Sequence, residues 1–180
     1  MRKIILLAAL IFGLSSALYA QNGKRVFKEL ANVPNINLVY ISEAAFDNGY
    51  SLSANKIPLR LENSQITGFE MAKAVFDGKE KKSILKMADK IISENDMELL
   101  SETRDDFDSK YTKIYYVPKS KEFAKEIFNI SSSNSFGATA IYITGKLWLK
   151  SFLSGSGVKD LSYLMEKYKF KTTDFNIIHL

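Results

Sequence analysis

The sequence has 180 residues, of which 46% are hydrophobic, with a formal net charge of +5, one histidine and no cysteine. The lack of cysteine excludes disulfides, a cysteine nucleophile, cysteine-ligated metal sites and the lipid attachment of a bacterial lipoprotein. The positive charge is too small to indicate a nucleic-acid-binding protein, and a single histidine cannot form a histidine-based metal site.

The N-terminus is typical of a secretory signal peptide. Arg2 and Lys3 precede an uncharged apolar run over residues 4–14, and small residues follow that run. Cleavage after Ala20 is favoured because polar sequence begins directly after it, although cleavage after Ala17 fits the small-residue rule better. An uncleaved membrane anchor is a weaker alternative, since a span needs about 20 apolar residues.

We therefore expect residues 1–20 to be removed and residues 21–180 to form a single domain, which is a usual length for one domain. The expected location is the periplasm, with the cell surface or secretion as alternatives. No stable membrane span is expected after cleavage.

The first mature segment alternates helix and strand signals. Phe27 and Leu30 are spaced for one face of a short helix that Pro34 ends. Residues 37–42 are rich in β-branched and aromatic side chains and predict a strand. Ser42 then fits the N-cap of a following helix.

Two later stretches carry apolar residues at helical spacing. In residues 68–76, Phe69, Ala72 and Phe76 fall on one face, and residues 79–95 carry an apolar stripe with lysines on the other side. We expect both stretches to be helical.

The period then changes towards two. Residues 97–104, 110–118 and 138–147 alternate as strands do, with turns between them. Residues 122–131 fit a helix or a strand equally well. A strand there would complete a simple antiparallel meander.

The order of these segments resembles a known family. "FKELANVPNINLVYIS", "MELLSE", "AIYITGKL" with Gly145, and "VKDLSYLMEKY" follow one another as in the exported family of Gram-negative bacteria catalogued as domain of unknown function 4252. The resemblance implies a strand over residues 123–131 and export, and it brings no catalytic residues. Residues 148–157 depart from the pattern as an insertion.

Together these signals predict an α+β fold. An antiparallel sheet of four to five strands, ending in a C-terminal meander, should be covered mainly on one face by the helices of residues 68–95 and 158–168.

No constellation of residues predicts an enzyme. His179 lies one residue from the C-terminus, a poor place for a preorganised base, and nothing in the spacing of Glu43, Glu70 and Glu98 selects them as a catalytic pair. Residues 154–157, "SGSG", lack the lysine of a phosphate-binding P-loop. We expect no cofactor.

Three aspartates in "RDDFDSK" are the only candidate metal ligands. Asp105, Asp106 and Asp108 could bind a hard cation such as Ca²⁺, but the EF-hand glycine and downstream glutamate are missing. A solvated hairpin turn is the preferred interpretation, and no metal site is expected.

The aromatic residues with basic neighbours indicate a binding surface. Tyr115, Trp148 and Phe152 are its predicted members, and Lys146 and Lys150 flank Trp148. We predict a non-catalytic protein-interaction module that binds another envelope protein. A small-ligand carrier with a pocket between helices and sheet is the alternative, and an enzyme with an unrecognised carboxylate or tyrosine site ranks third.

Overall fold

The structure is a computed structural model that describes residues 25–49, 61, 63–75, 78–135 and 137–153. The predicted signal peptide, the helix over residues 158–168, the "SGSG" segment and His179 lie outside these residues.

The described chain alternates strands with short helical segments. A 3-10 turn at Lys28–Asn32 begins it, and a second covers Asp106–Asp108. The helices are α1 (Glu43–Asp47), α2 (Lys79–Glu94) and α3 (Leu149–Leu153). The strands are β1 (Ile36–Ile41), β2 (Gln65–Ala74), β3 (Glu98–Asp105), β4 (Lys110–Pro118), β5 (Phe123–Ser133) and β6 (Gly137–Trp148).

The six strands form one sheet in the order β1-β2-β6-β5-β4-β3, and every neighbouring pair is antiparallel. The last four strands are the predicted meander, and residues 123–133 are a strand, as the family resemblance implied. The sheet is larger than the four to five strands expected, and the fold is rich in strands rather than helix-packed.

The helix predicted over residues 68–76 is wrong, because β2 occupies most of that segment. β2 lies between β1 and β6 and is buried on both faces, so residues 69–74 are buried without a break. A strand buried on both faces loses the polar–apolar alternation that identifies strands. The spacing of Phe69 and Ala72 therefore imitated a helical face.

Helix α2 covers one face of the sheet and packs against β2, β5 and β6. Its buried side chains are the ones that the helical stripe predicted: Ile84, Met87, Ala88 and Ile91. They meet small residues of the central strands, namely Ala72, Ala74, Ala138 and Ala140. The methyl side chains let the helix approach the sheet closely. We call this side of the sheet the helix face.

The other side of the sheet, the opposite face, carries a second core. Phe69, Met71, Ile127 and Ile143 are fully buried there, with Phe152 of α3 packed in the same cluster. α1 and the side chain of Leu61 lie against this side.

Local signals set the ends of several elements. The Ser42 hydroxyl accepts a hydrogen bond from the backbone N–H of Ala45, as expected of an N-cap. α2 ends at Glu94, and the left-handed residue just beyond it is Asp96 (φ 47°). Gly145 in β6 has φ 147°, and a Cβ there would collide with the carbonyl oxygen of Gln65. A glycine is therefore needed at this point of the β2–β6 pairing.

A prediction follows from the alanine contact beneath α2. Ala140 is 0% exposed, so Ala140→Leu must displace the helix or distort a rotamer. We expect it to lower the free energy of unfolding by about 1–3 kcal/mol in urea denaturation. Ala44→Leu on exposed α1 is the control and should change stability by no more than about 0.5 kcal/mol. Equal stability of the two variants would contradict the close packing of α2.

Candidate functional site

Two aromatic side chains lie side by side at one end of the sheet. Phe123, the first residue of β5, pairs with Trp148, the last residue of β6. Their neighbours Ala124 and Leu147 belong to the core of the opposite face. Because side chains alternate along a strand, Phe123 and Trp148 point to the other side, beyond the area that α2 covers.

Each aromatic ring carries a lysine. Lys146 Nζ lies 4.5 Å from the centroid of the Phe123 ring, and Lys150 Nζ lies 5.8 Å from the centroid of the Trp148 ring. Both lysines are exposed, while the two rings are half-buried. We call these four residues the aromatic–lysine patch. Its cations are attracted to the negative faces of the rings, which orders side chains that would otherwise be mobile.

Backbone hydrogen bonds fix the two aromatic residues. Phe123 N–H donates to Ser120 Oγ at 3.2 Å within the β4–β5 turn, and Trp148 N–H donates to Ser64 Oγ at 2.9 Å. Leu149 N–H donates to the carbonyl of Glu122 at 2.9 Å, which joins the start of α3 to the start of β5. A register shift between Ala124 and Glu126 lies just beside the patch, and such bulges re-aim the side chains that follow them.

The surroundings of the patch are positively charged. Residues 118–126 and 144–150 contain five lysines (Lys119, Lys121, Lys125, Lys146, Lys150) and two glutamates (Glu122, Glu126), an excess of three positive charges. Lys125 and Glu126 form an ion pair at 3.8 Å. Within the described part of the chain, no carboxylate forms an ion pair with Lys146 or Lys150.

The three predicted surface residues do not lie together. Phe152 is 1% exposed and belongs to the core of the opposite face, so the apolar turn after β6 packs on the body of the protein. Tyr115 lies on the helix face beside Phe128, against the cluster under α2. Only Trp148 takes part in the patch. The structure adds Phe123, which sequence reasoning missed because its position beside Trp148 depends on the register of β5 and β6.

Of the predicted acids, Glu70 alone is buried. It is 6% exposed, and its two carboxylate oxygens accept the backbone N–H groups of Val26 and Phe27 at 3.0 and 3.2 Å. Burial raises the pKa of Glu70, although these two bonds and the nearby Arg25 guanidinium act in the other direction. The carboxylate thus holds the N-terminal segment on the sheet rather than facing a cleft.

Two tyrosines flank Glu70 across the strands. Tyr40 pairs with it from β1 and Tyr142 from β6. The Tyr142 hydroxyl donates a 2.5 Å hydrogen bond to Glu126, and burial together with this bond raises the pKa of Tyr142 far above its ordinary value. Arg25 lies over the Tyr40 ring at 4.5 Å.

The remaining acidic candidates have structural partners. Glu98 accepts a hydrogen bond from the Tyr116 hydroxyl at 2.9 Å, and Glu43 is exposed in the first turn of α1. Asp108 accepts hydrogen bonds from the N–H and hydroxyl of Ser135, which ties the β3–β4 turn to the β5–β6 turn. Side-chain hydrogen bonds from Ser133 and Ser135 lower the pKa of Asp108. Among the described residues no group of acids or histidine could hold a metal ion.

Comparisons with protein-family models, with curated proteins and with solved structures find no match for this chain. The resemblance to the family of unknown function stays a prediction from sequence motifs. In the ranges that the structure describes, no helix is long and apolar enough to cross a membrane.

The burial of Glu70 predicts a pH effect on stability. Because its pKa is raised above the ordinary 4.5, the folded protein holds this proton more tightly than the unfolded chain does. Stability is then lost as pH rises from the unfolded pKa through the folded one. Glu70→Gln removes this loss. The free energy of unfolding of the variant, measured by urea denaturation, should therefore rise relative to that of the wild type as pH increases from about 4 to about 8.

The same substitution at exposed Glu43 controls for the change in net charge. The prediction would be contradicted if the free energy of unfolding of the wild type rose relative to that of Glu70→Gln as pH increases. It would mean that the two backbone hydrogen bonds outweigh the cost of burying the charge.

Proposed function

We propose that this protein is an exported, non-catalytic interaction module of the cell envelope that binds an acidic protein surface through the aromatic–lysine patch. The observation that carries the proposal is the pairing of Phe123 and Trp148 on adjacent strands, each with an exposed lysine over its ring. Export rests on the signal-peptide pattern of the sequence.

The composition of the patch supports a protein partner. Tryptophan, above all, is enriched among residues that contribute most to binding, and half-buried rings held by backbone hydrogen bonds lose little freedom on association. The lysines add charge complementarity, which speeds encounter and rejects basic partners. Leu153, 61% exposed at the end of α3, adds apolar surface in the same stretch of chain.

The partner should be acidic because, among the residues that the structure describes, no carboxylate forms an ion pair with the two lysines of the patch. Lys146 and Lys150 are exposed, so an approaching carboxylate gains attraction while little desolvation is required at the rim. We expect this attraction to weaken with added salt, since exposed charges are screened.

Charge reversal tests the proposal. The double variant Lys146→Glu/Lys150→Glu should lose most of the partner that the wild type captures from cross-linked cell envelopes, as read by quantitative mass spectrometry. The matched control is Lys82→Glu/Lys86→Glu on the exposed side of α2, which changes the net charge equally. We expect the control to capture the same protein as the wild type.

The single variant Trp148→Ala measures the contribution of the ring. With purified partner it should weaken binding about 30-fold, which corresponds to about 2 kcal/mol for a central interface residue. If both charge-reversal variants lost the captured partner equally, the loss would be due to net charge alone, and the proposed surface would be contradicted. Binding to vesicles of phosphatidylglycerol and phosphatidylethanolamine, with no protein captured, would replace the protein partner by a lipid surface.

A further inference from the structure

A row of polar side chains crosses the opposite face of the sheet. Strand register places one residue of each strand at the same level. Every member of this row is polar: Asn37, Lys73, Thr139, Ser131, Thr112 and Thr103. Two residues further along each strand, towards the end of the sheet that carries the patch, the side chains on this face are apolar in β1, β2, β4 and β6. In these four strands, the face thus changes from apolar to polar over two residues.

The central members of this polar row are buried. Lys73, Thr139, Ser131 and Thr112 are each exposed by less than a tenth, whereas Thr103 at the sheet edge is exposed. Polar residues of these types are mostly found at protein surfaces. Thr112 donates a hydrogen bond to Ser131 at 3.2 Å across β4 and β5, and burial lowers the pKa of Lys73.

Asn129 of β5 projects from the same face one level away. It lies between Ile114 and Ile141 in the register and is 1% exposed. Neither its side-chain nitrogen nor its oxygen has a hydrogen-bond partner within the described residues. Leaving both atoms without hydrogen bonds among apolar neighbours opposes folding. A group that hydrogen-bonds to both atoms would remove this cost.

We propose that this half of the opposite face, around Asn129, Ser131 and Thr112, binds a small molecule through an amide group. The Asn129 side chain can donate one of its two N–H groups to an acceptor and accept from a donor at its carbonyl oxygen, side by side. An amide presents both in the same plane. A carboxylate presents acceptors only and would leave the Asn129 oxygen unpaired. The neighbouring hydroxyls, which donate and accept, are suited to the remainder of such a ligand.

This site is independent of the aromatic–lysine patch. The patch lies on the other side of the sheet and at its other end, so a small ligand at Asn129 and an acidic partner at Trp148 would not compete. The two proposals can fail separately.

The test is a titration of the ¹⁵N-labelled protein with acetamide, followed by NMR. The side-chain NH₂ resonances of Asn129 are assigned by their loss in Asn129→Leu. We expect these resonances to move saturably with acetamide, and acetate at equal concentration to leave them in place. Ethylene glycol serves as the hydroxyl probe and should bind more weakly than acetamide.

Two threonines of the row supply a matched pair of variants. Thr112 and Thr103 are partners on adjacent strands, one buried and one exposed. Thr112→Val should weaken the binding of glycolamide, an amide that carries one hydroxyl, several-fold, and Thr103→Val should leave it unchanged. This pair decides the question even where Asn129→Leu does not fold. Movement without saturation, or equal effects of the two valine variants, would overturn the proposal and assign the Asn129 amide to an internal water molecule.

Discussion

The pairing of β2 with β6 is the interaction on which the rest of the structure depends. It joins segments about seventy residues apart and fixes the β1–β2 unit to the C-terminal meander, a non-local contact that costs more chain entropy than the hairpins beside it. The four alanines that pack beneath α2 all lie on these two strands. Glu70, whose carboxylate holds the N-terminal segment, also projects from β2 and pairs with Tyr142 of β6.

The same pairing explains which elements the sequence could reveal. α2 has one wet and one buried side, and its stripe was readable from residues 79–95 alone. β2 has no wet side. Its Glu70 and Lys73 look like the polar side of a helix, yet both are buried, on opposite faces of the sheet. Their environment is set by β1 and β6, and no local pattern contains that information.

The candidate sites divide along the same line. Trp148 could be singled out from its residue type and its neighbouring lysines, because a tryptophan between basic residues indicates a binding surface from sequence alone. Phe123 could not, since it meets Trp148 only through the β5–β6 register. Asn129 sits in "FNIS", where an asparagine in a strand would ordinarily face solvent. Its burial follows from its position on an inner strand of the sheet, between Ile114 of β4 and Ile141 of β6.

The two faces of the sheet differ in what they can still accept. On the helix face, the alanines are covered by α2, and the carboxylate of Glu70 accepts hydrogen bonds from the N-terminal segment. On the opposite face, the apolar half is filled by Phe152 and its neighbours, but the polar half contains the Asn129 amide, which makes no hydrogen bond to any residue that the structure describes. Replacing Asn129 by an aliphatic residue of similar size would remove that cost at once. A side chain that opposes folding while an apolar one would serve is better explained by binding than by packing.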